Sequence, residues 1–397
     1  MYFRFLLFVL SVLVASALSP LSAQPHPPAA SRKAKNVILF LADAGGVPAL
    51  NAASLLAYNA PLKLHIQSWP HVGLSDTTPV GAWVSDSANG MTSIVTGVKT
   101  RNGVISMGPD TERGEKDGRI LKTILEYAEE RGLRTGVVTD MSIADATPAA
   151  CYAHANDRGK WGEIFPQAFT PRFGDGVDVL IGAGRQRIAA QLQRSGLSFD
   201  LLAGRHQRPI AATLEEVPPS NLRPVVVADK IDVRAAALRA LSLLETSPNG
   251  YFLMVEWDAH TDDPKEGLER LVALDKLIAE IRQRVNLEET LLLFTADHSF
   301  GIQVDGGGPK DPLLSGYDEW KAAEGKKDGA RLKYVYVNDT HTADEVAAIA
   351  IGPGAEAVRG FFPSTHLFHV MRNAWGWPES PSSPEPPSRP ESSSNEE

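Results

Sequence analysis

The chain has 397 residues, a formal net charge of -9, 43% hydrophobic residues and 22% charged residues. That length and balance are ordinary for a globular protein of one large domain or two modest ones, with a buried core of normal size. The acidic balance argues against nonspecific nucleic-acid binding, so no nucleic-acid partner is expected, although a few local cations can still hold an anionic substrate.

The chain opens on what reads as a signal peptide. Arg4 supplies the positive start, Phe5 to Leu18 the apolar run, and Leu21-Ser22-Ala23 a small-residue cleavage site. The run is short for a membrane span, so cleavage after Ala23 is favoured over a retained anchor. The protein is expected to be exported to a periplasmic or extracellular location. N-terminal sequencing of the mature protein should read from near Gln24, whereas an intact Met1 on soluble cytoplasmic protein would count decisively against export. Residues 24–35 are Pro- and Ala-rich and then basic, as in a linker. Cys151 is the single cysteine, so no intramolecular disulfide is possible.

Short apolar runs then alternate with helical periodicity. The runs Asn36–Leu41, Thr135–Thr139, Val177–Ile181, Tyr251–Glu256, Thr290–Ala296 and Val346–Ile351 are nearly continuous, as in strands buried on both faces. Leu121–Arg131, Val233–Leu244 and Gly267–Val285 carry helical spacing between them. The alternation predicts an α/β layered fold, a mostly parallel central sheet flanked by helices, over residues 36–376. The polar, Gly/Lys-rich stretch Asp311–Arg331 reads as a surface insertion. Residues 377–397 are Pro, Ser and Glu with almost nothing apolar, a composition that predicts a disordered tail.

Carboxylates and imidazoles stand at the ends of these runs. Asp43 follows the first strand. Glu256, Asp258 and His260 end the Tyr-Phe-Leu-Met-Val run, Asp297 and His298 end the Leu-Leu-Leu-Phe-Thr-Ala run, and His341 follows Tyr-Val-Tyr-Val. In open α/β sheets, ligands bind outside the carboxyl ends of strands. Aspartate and histidine supplied there together suit zinc with mixed oxygen and nitrogen ligands. Any one of them alone would read as a loop residue or a helix cap. A second signal is Val84-Ser85-Asp86-Ser87-Ala88-Asn89-Gly90-Met91-Thr92, where a serine followed by small residues can open a helix with free N–H groups facing an anion. Its plainer reading is an N-cap at Asp86 or Ser87.

These segments, in this order, resemble the alkaline phosphatases. Asp86-Ser87-Ala88 with Thr92 and Thr96-Gly97-Val98-Lys99-Thr100 is similar to the family's nucleophile segment. Asn36 to Gly46 is similar to its first strand with a metal-binding Asp. Asp145-Ala146-Thr147-Pro148-Ala149-Ala150, His154 and Arg158 are similar to its magnesium and arginine segment. Tyr251–Glu256, Thr295–Ser299 and His341-Thr342 are similar to its remaining metal-binding segments. The resemblance implies that Ser87 is the nucleophile of phosphate-monoester hydrolysis through a phosphoserine. It implies two zinc ions and one magnesium ion, with Asp43, Asp297 and His298 on one zinc and His341 on the other. Asp43, Thr147 and Glu256 would take magnesium, with Asp145 in its outer shell, and Arg158 would grip two phosphate oxygens. Small phosphomonoesters and inorganic phosphate are the expected ligands, and a homodimer is compatible with the sequence.

The match departs from the family in three places. Glu256-Trp257-Asp258-Ala259-His260-Thr261-Asp262-Asp263 is compressed relative to the family's Glu followed by Asp-x-x-x-His. Asp258 and His260 are therefore expected on the second zinc, with Asp262 in reserve and Glu256 open to either register. Asn89 and Met91 replace small residues after the nucleophile and are expected to reshape the pocket. Ala44 stands where the family has glycine. A phosphodiesterase on the same scaffold and a non-catalytic phosphate- or metal-binding homologue are the alternatives. A sulfatase would need a Cys/Ser-x-Pro-x-Arg setting, which Ser87-Ala-Asn-Gly lacks.

Overall fold

The structure, a computed structural model, describes residues 32–323 and 332–377. The segment read as a signal peptide, most of the expected linker, part of the expected insertion and the expected tail from residue 378 lie outside these residues. The first half of the chain runs β1 (Asn36–Asp43), α1 (Val47–Tyr58), β2 (His71–Asp76), α2 (Ser87–Thr96), α3 (Ile124–Glu130), β3 (Arg134–Ser142), α4 (Ala146–Tyr152), α5 (Trp161–Ile164), β4 (Val179–Ala183), α6 (Arg185–Arg194) and α7 (Phe199–His206). It continues with β5 (Ile210–Ala211), β6 (Val225–Val227), α8 (Val233–Leu244), β7 (Tyr251–Asp258), α9 (Pro264–Arg284), β8 (Thr290–Thr295), β9 (Ser299–Val304), α10 (Tyr317–Ala322), β10 (Val335–Thr342), β11 (Val346–Ile351), β12 (Gly360–Pro363) and α11 (His366–Ala374).

Ten strands form one sheet in the order β12-β2-β11-β8-β1-β7-β3-β4-β6-β5. From β8 to β5 every neighbouring pair is parallel, and β11 runs antiparallel to both β8 and β2. The parallel block is why its strands read as continuous apolar runs, since helices cover both faces. β1 shows this at single-residue resolution. Val37, Leu39 and Leu41 pack with α2, α3, α4 and α11, while Ile38, Phe40 and Ala42 pack with α1, α8 and α9. The alternation follows from the two-residue period of a strand.

Strand β7 runs on to Asp258, past the predicted end at Glu256, because its last residues pair with Ala42 and Asp43 of β1. Strands β8, β1, β7 and β3 point the same way, so their carboxyl ends share one rim. There Glu256 lies beside Leu41 on one side and Thr139 on the other. His341 is different. It sits on β10, which pairs with β9 in a separate two-stranded sheet, after an irregularity between Asn338 and His341. The insertion is not wholly superficial, since Trp320 of α10 is buried against the α1–α9 face.

Away from the rim, α3 carries a buried carboxylate, Glu129. Its oxygens accept from the Thr135 hydroxyl (3.1 Å) and the Gly176 amide (3.0 Å). Burial, together with Asp175 and Asp178, pushes its pKa from 4.5 up to about 8. A raised folded value means that the folded state holds the proton more tightly. The stabilisation is fully present below pH 4.5 and is lost as pH rises through about 8. Glu129→Gln, which can keep both contacts through its carbonyl and amide, should therefore melt several degrees above the wild type at pH 9 and lose that advantage at pH 4. Melting curves of the two proteins that stay parallel between pH 4 and 9 would exclude this account.

Candidate active site

The segment that carries Ser87 is built by helix capping. Asp86 has extended backbone and accepts from Asn89 N–H at 3.0 Å, so α2 starts at Ser87. Asp86 is the cap, and Ser87 stands at the first helical position, where backbone N–H groups lack intrahelical acceptors. Ser87 Oγ lies 3.5 Å from Asp43 Oδ1 and 3.3 Å from His298 Nε2. Gly90, one turn on, lets the helix lie against the segment after β8, because a Cβ there would collide with the Asp297 main chain.

Asp43, Asp297 and His298 converge closely enough to share a cation, and so do His260, His298 and His341. His298 belongs to both groups, and its ring stacks on that of His341 at 3.8 Å. Backbone carbonyls set both tautomers. Nδ1–H of His298 donates to Ser299 O (3.1 Å) and Nδ1–H of His341 donates to Ser85 O (2.8 Å), which turns each Nε2 away from those carbonyls; that of His298 lies 3.2 Å from Asp43 Oδ1. Asp297 accepts from the amides of Ala44 (3.2 Å) and His298 (3.0 Å) through one oxygen and from the Thr147 hydroxyl (3.3 Å) through the other. Ala44 reaches that position with φ of 66°, a left-handed conformation that the β-carbon disfavours.

The electrostatics are those of a buried acidic set. Burial and the charge of Asp43 push Asp297 up to about 6. Burial and Asp43 likewise hold Glu256 well above the carboxylate range. For Asp43 itself burial is outweighed by His260, His298 and Arg158, which keep it well below that range. His260 is raised to about 9, since Asp43 and Asp258 outweigh its burial, and His341 is lowered to about 4 by burial and by His298. Glu256 also keeps one buried oxygen, Oε2, without any hydrogen-bond partner. Three mutually repelling carboxylates and an orphaned oxygen are costly unless a cation balances them. With the adjoining imidazoles, the donor set fits divalent metal ions.

Arg158 approaches from the other side. Its Nη1 lies 3.3 Å from Asp86 Oδ2 and its Nη2 3.0 Å from Asp145 Oδ1. Asp145 also caps α4 and sits outside both converging groups. An open cleft of about 750 Å3 reaches Asp86, His260 and His341, and is lined further by Val84, Ser85, Asn102, Met141, Asp258, Asp262, Phe300, Asp339 and Thr340.

Two expectations change. Asp258 does not join either converging group. Its Oδ1 faces His260 Nδ1 at 2.9 Å and its Oδ2 takes the Arg270 guanidinium, so it stands behind His260. Asn89 and Met91 do not shape the pocket: both are fully buried. The sequence reading also missed Asp140, a partly buried carboxylate that accepts from Asp258 N–H at 2.9 Å and is pushed up to about 7 chiefly by desolvation. The strand-end rule applied to Thr135–Thr139 would have found it. No comparable signal marked Arg270.

The family described as "Alkaline phosphatase" matches residues 34–196 and 232–339 of this chain. The unmatched span between them holds α7, β5 and β6 at one edge of the sheet, and His341 lies just past the second span. The chain is similar to the tissue-nonspecific alkaline phosphatase of Rattus norvegicus, at 26% identity over 88% of this chain and 87% of that one. It is also similar to the streptomycin-6-phosphate phosphatase of Streptomyces griseus, at 28% identity over 92% and 95%. Among solved structures, alkaline phosphatase from the Antarctic bacterium TAB5 has a TM-score of 0.70 at 23% identity, covering 88% of this chain and 99% of that one. That of Thermus thermophilus has a TM-score of 0.72 at 20% identity, covering 88% and 92%. At those identities the likeness is one of fold.

Proposed function

This chain belongs to the alkaline phosphatase family, and from that premise we propose that it is an exported, metal-dependent phosphomonoesterase whose reaction passes through a phosphoserine at Ser87. The observation that carries the reading is the Ser87 hydroxyl at the start of α2, within 3.5 Å of both Asp43 and His298, with the Arg158 guanidinium held nearby by Asp86 and Asp145.

Asp43, Asp297 and His298 would hold one zinc. His260 and His341 would hold the other, with Asp258 orienting His260. Asp43, Thr147 and Glu256 would hold magnesium, with Asp145 further out. Bound there, such ions supply Lewis-acid stabilisation of charge on the reacting oxygens.

The chain's own groups do the rest. Arg158 binds two non-bridging phosphate oxygens as a planar fork, at the cost of loosening its hold on Asp86 and Asp145. The free N–H groups of the first turn of α2 favour the negative charge that arrives with the phosphoryl group. Ser87 Oγ gives up its proton and attacks phosphorus in line, the ester oxygen departs and takes up a proton, and the phosphoryl group is left on Ser87. Water then loses a proton and attacks the same phosphorus, the Oγ–phosphorus bond breaks, Oγ takes a proton back, and inorganic phosphate leaves. Among the described residues no helix is long and apolar enough to cross a membrane.

Turnover of p-nitrophenyl phosphate beside bis-p-nitrophenyl phosphate, with and without a chelator, tests the reading. The monoester should be hydrolysed far faster than the diester, and activity should fall on chelation and return with zinc and magnesium. Preference for the diester would indicate a phosphodiesterase, and no turnover of either would indicate a binding homologue.

A further inference from the structure

The backbone leading into Ser87 is gripped from both sides by side chains distant in sequence. Asn102 Nδ2 donates to Val84 O at 2.8 Å, and Asn102 Oδ1 accepts from Asp86 N–H at 3.1 Å. In an extended segment the carbonyl of one residue and the N–H two residues on point the same way, so one primary amide can serve both. Asn102 thus does for Val84–Asp86 what a neighbouring strand would do. The carbonyl between them, on Ser85, points the opposite way and accepts from His341 Nδ1 at 2.8 Å. Ser85 Oγ accepts from Asn89 Nδ2 at 3.0 Å. Asn89 in turn gives its other amide hydrogen to Thr77 O (3.0 Å) and accepts from Thr100 N–H (3.2 Å) and Ser93 Oγ (3.4 Å). Its valences are full, which is why a polar residue is stable at this fully buried position.

We propose that Asn102 is a positioning residue for the nucleophile. Its side-chain amide substitutes for a strand partner and fixes the Val84 carbonyl and the Asp86 N–H on one side of the chain, so that the Ser87 hydroxyl and the His341 ring keep their places relative to each other. The proposal rests on Ser87 being the nucleophile. Without the clamp, the peptide units on either side of Ser85 can rotate, and the displacement reaches the reacting oxygen within two residues. Misplacing a reacting group by about 1 Å costs on the order of a hundredfold in rate. The Asp86 carboxylate is also held by the N–H groups of Asn89 (3.0 Å) and Gly103 (2.8 Å), and Arg158 keeps Asp145 as a second anchor, so binding of phosphate should change little.

The test is acid-quench measurement of phosphoenzyme formation from labelled p-nitrophenyl phosphate, using the full-length metal-loaded protein. Wild type should carry the label on Ser87; if it carries none there, the nucleophile assignment fails and not the clamp alone. Given that label, Asn102→Ala should form phosphoenzyme about ten- to a hundredfold more slowly, with the inhibition constant of inorganic phosphate within about twofold of wild type. Asn102→Asp separates the clamp from packing. It has the same shape and keeps the acceptor for Asp86 N–H, but sets an oxygen against Val84 O, so it should be as slow as the alanine variant. Asn102 lines the open cleft in a loop, and thermal midpoints close to wild type are expected for both. Phosphorylation at the wild-type rate in either variant, or in Asn102→Ala a loss of rate matched by an equal loss of phosphate affinity, overturns the proposal.

Discussion

Replacing Ser87 with alanine should lower kcat/KM for p-nitrophenyl phosphate by on the order of a thousandfold or more, equivalent to about 4 kcal/mol of transition-state stabilisation. The loss has a local cause. The hydroxyl at the start of α2 is the group between Asp43 Oδ1 and His298 Nε2, and the variant has no oxygen there to form a bond to phosphorus. Activity should not vanish, because Arg158 still grips the phosphate and water can attack in place of the serine. The mechanism has a stereochemical signature as well. Two successive in-line displacements give net retention at phosphorus, whereas direct attack by water gives inversion. A chiral phosphate ester should therefore yield retained product with the wild type, and an added alcohol such as Tris should capture part of the phosphoryl group. Inverted product from the wild type, together with full activity of Ser87→Ala, would remove Ser87 from the reaction.

The second large effect is expected at Asp297, and its sign depends on metal. Asp297→Asn preserves the shape and can keep the contacts to Ala44, His298 and Thr147, yet it removes one negative charge from a set that includes Asp43 and Glu256. Zinc binding needs that charge, so the variant should lose about one metal ion per chain, read by elemental analysis, and activity by a hundredfold or more. Without metal the order reverses. Burial and Asp43 hold the Asp297 carboxyl at about 6, above its ordinary 3.8, so the metal-free wild type loses stability as pH rises through about 6. At pH 8 and without metal, Asp297→Asn should melt above the wild type. On addition of zinc and magnesium the wild type should rise and the variant should scarcely respond. A variant with a full metal complement and wild-type activity would dismiss Asp297 as a ligand.

The layered fold and the rim of the sheet were legible because they depend on local signals. A strand buried on both faces has to be apolar throughout, so β1, β3, β4, β7, β8 and β11 stand out as runs, and a carboxylate just after such a run has few structural reasons to be there. Asp43, Glu256, Asp297 and His298 were singled out as candidates in that way. Asp140 directly follows the Thr135–Thr139 run and meets the same rule, but was not singled out. His341 was read as another strand end, although it lies on a separate two-stranded sheet whose irregular pairing brings it back to His298. That return depends on pairing between β9 and β10 across the intervening insertion, and no local pattern encodes it.

By itself the sequence determined the alternation of strands and helices, the cap that starts α2 at Ser87, and the residue types able to hold a phosphate and divalent cations. Each of these depends on side chains within a turn or a strand of one another. Only the tertiary structure decided how the compressed segment from Glu256 to Asp263 is used. Arg270 comes from the following helix and takes one oxygen of Asp258, and the other faces His260, so the carboxylate stands behind the histidine instead of joining the converging group. The same holds for Asn89 and Asn102, whose partners lie 4 to 18 residues away in sequence. A carboxylate or an amide has the same composition whether it meets a metal, an arginine or a backbone. Which one it meets is settled by the groups that packing brings within about 3 Å, a distance at which a hydrogen bond or ion pair replaces water.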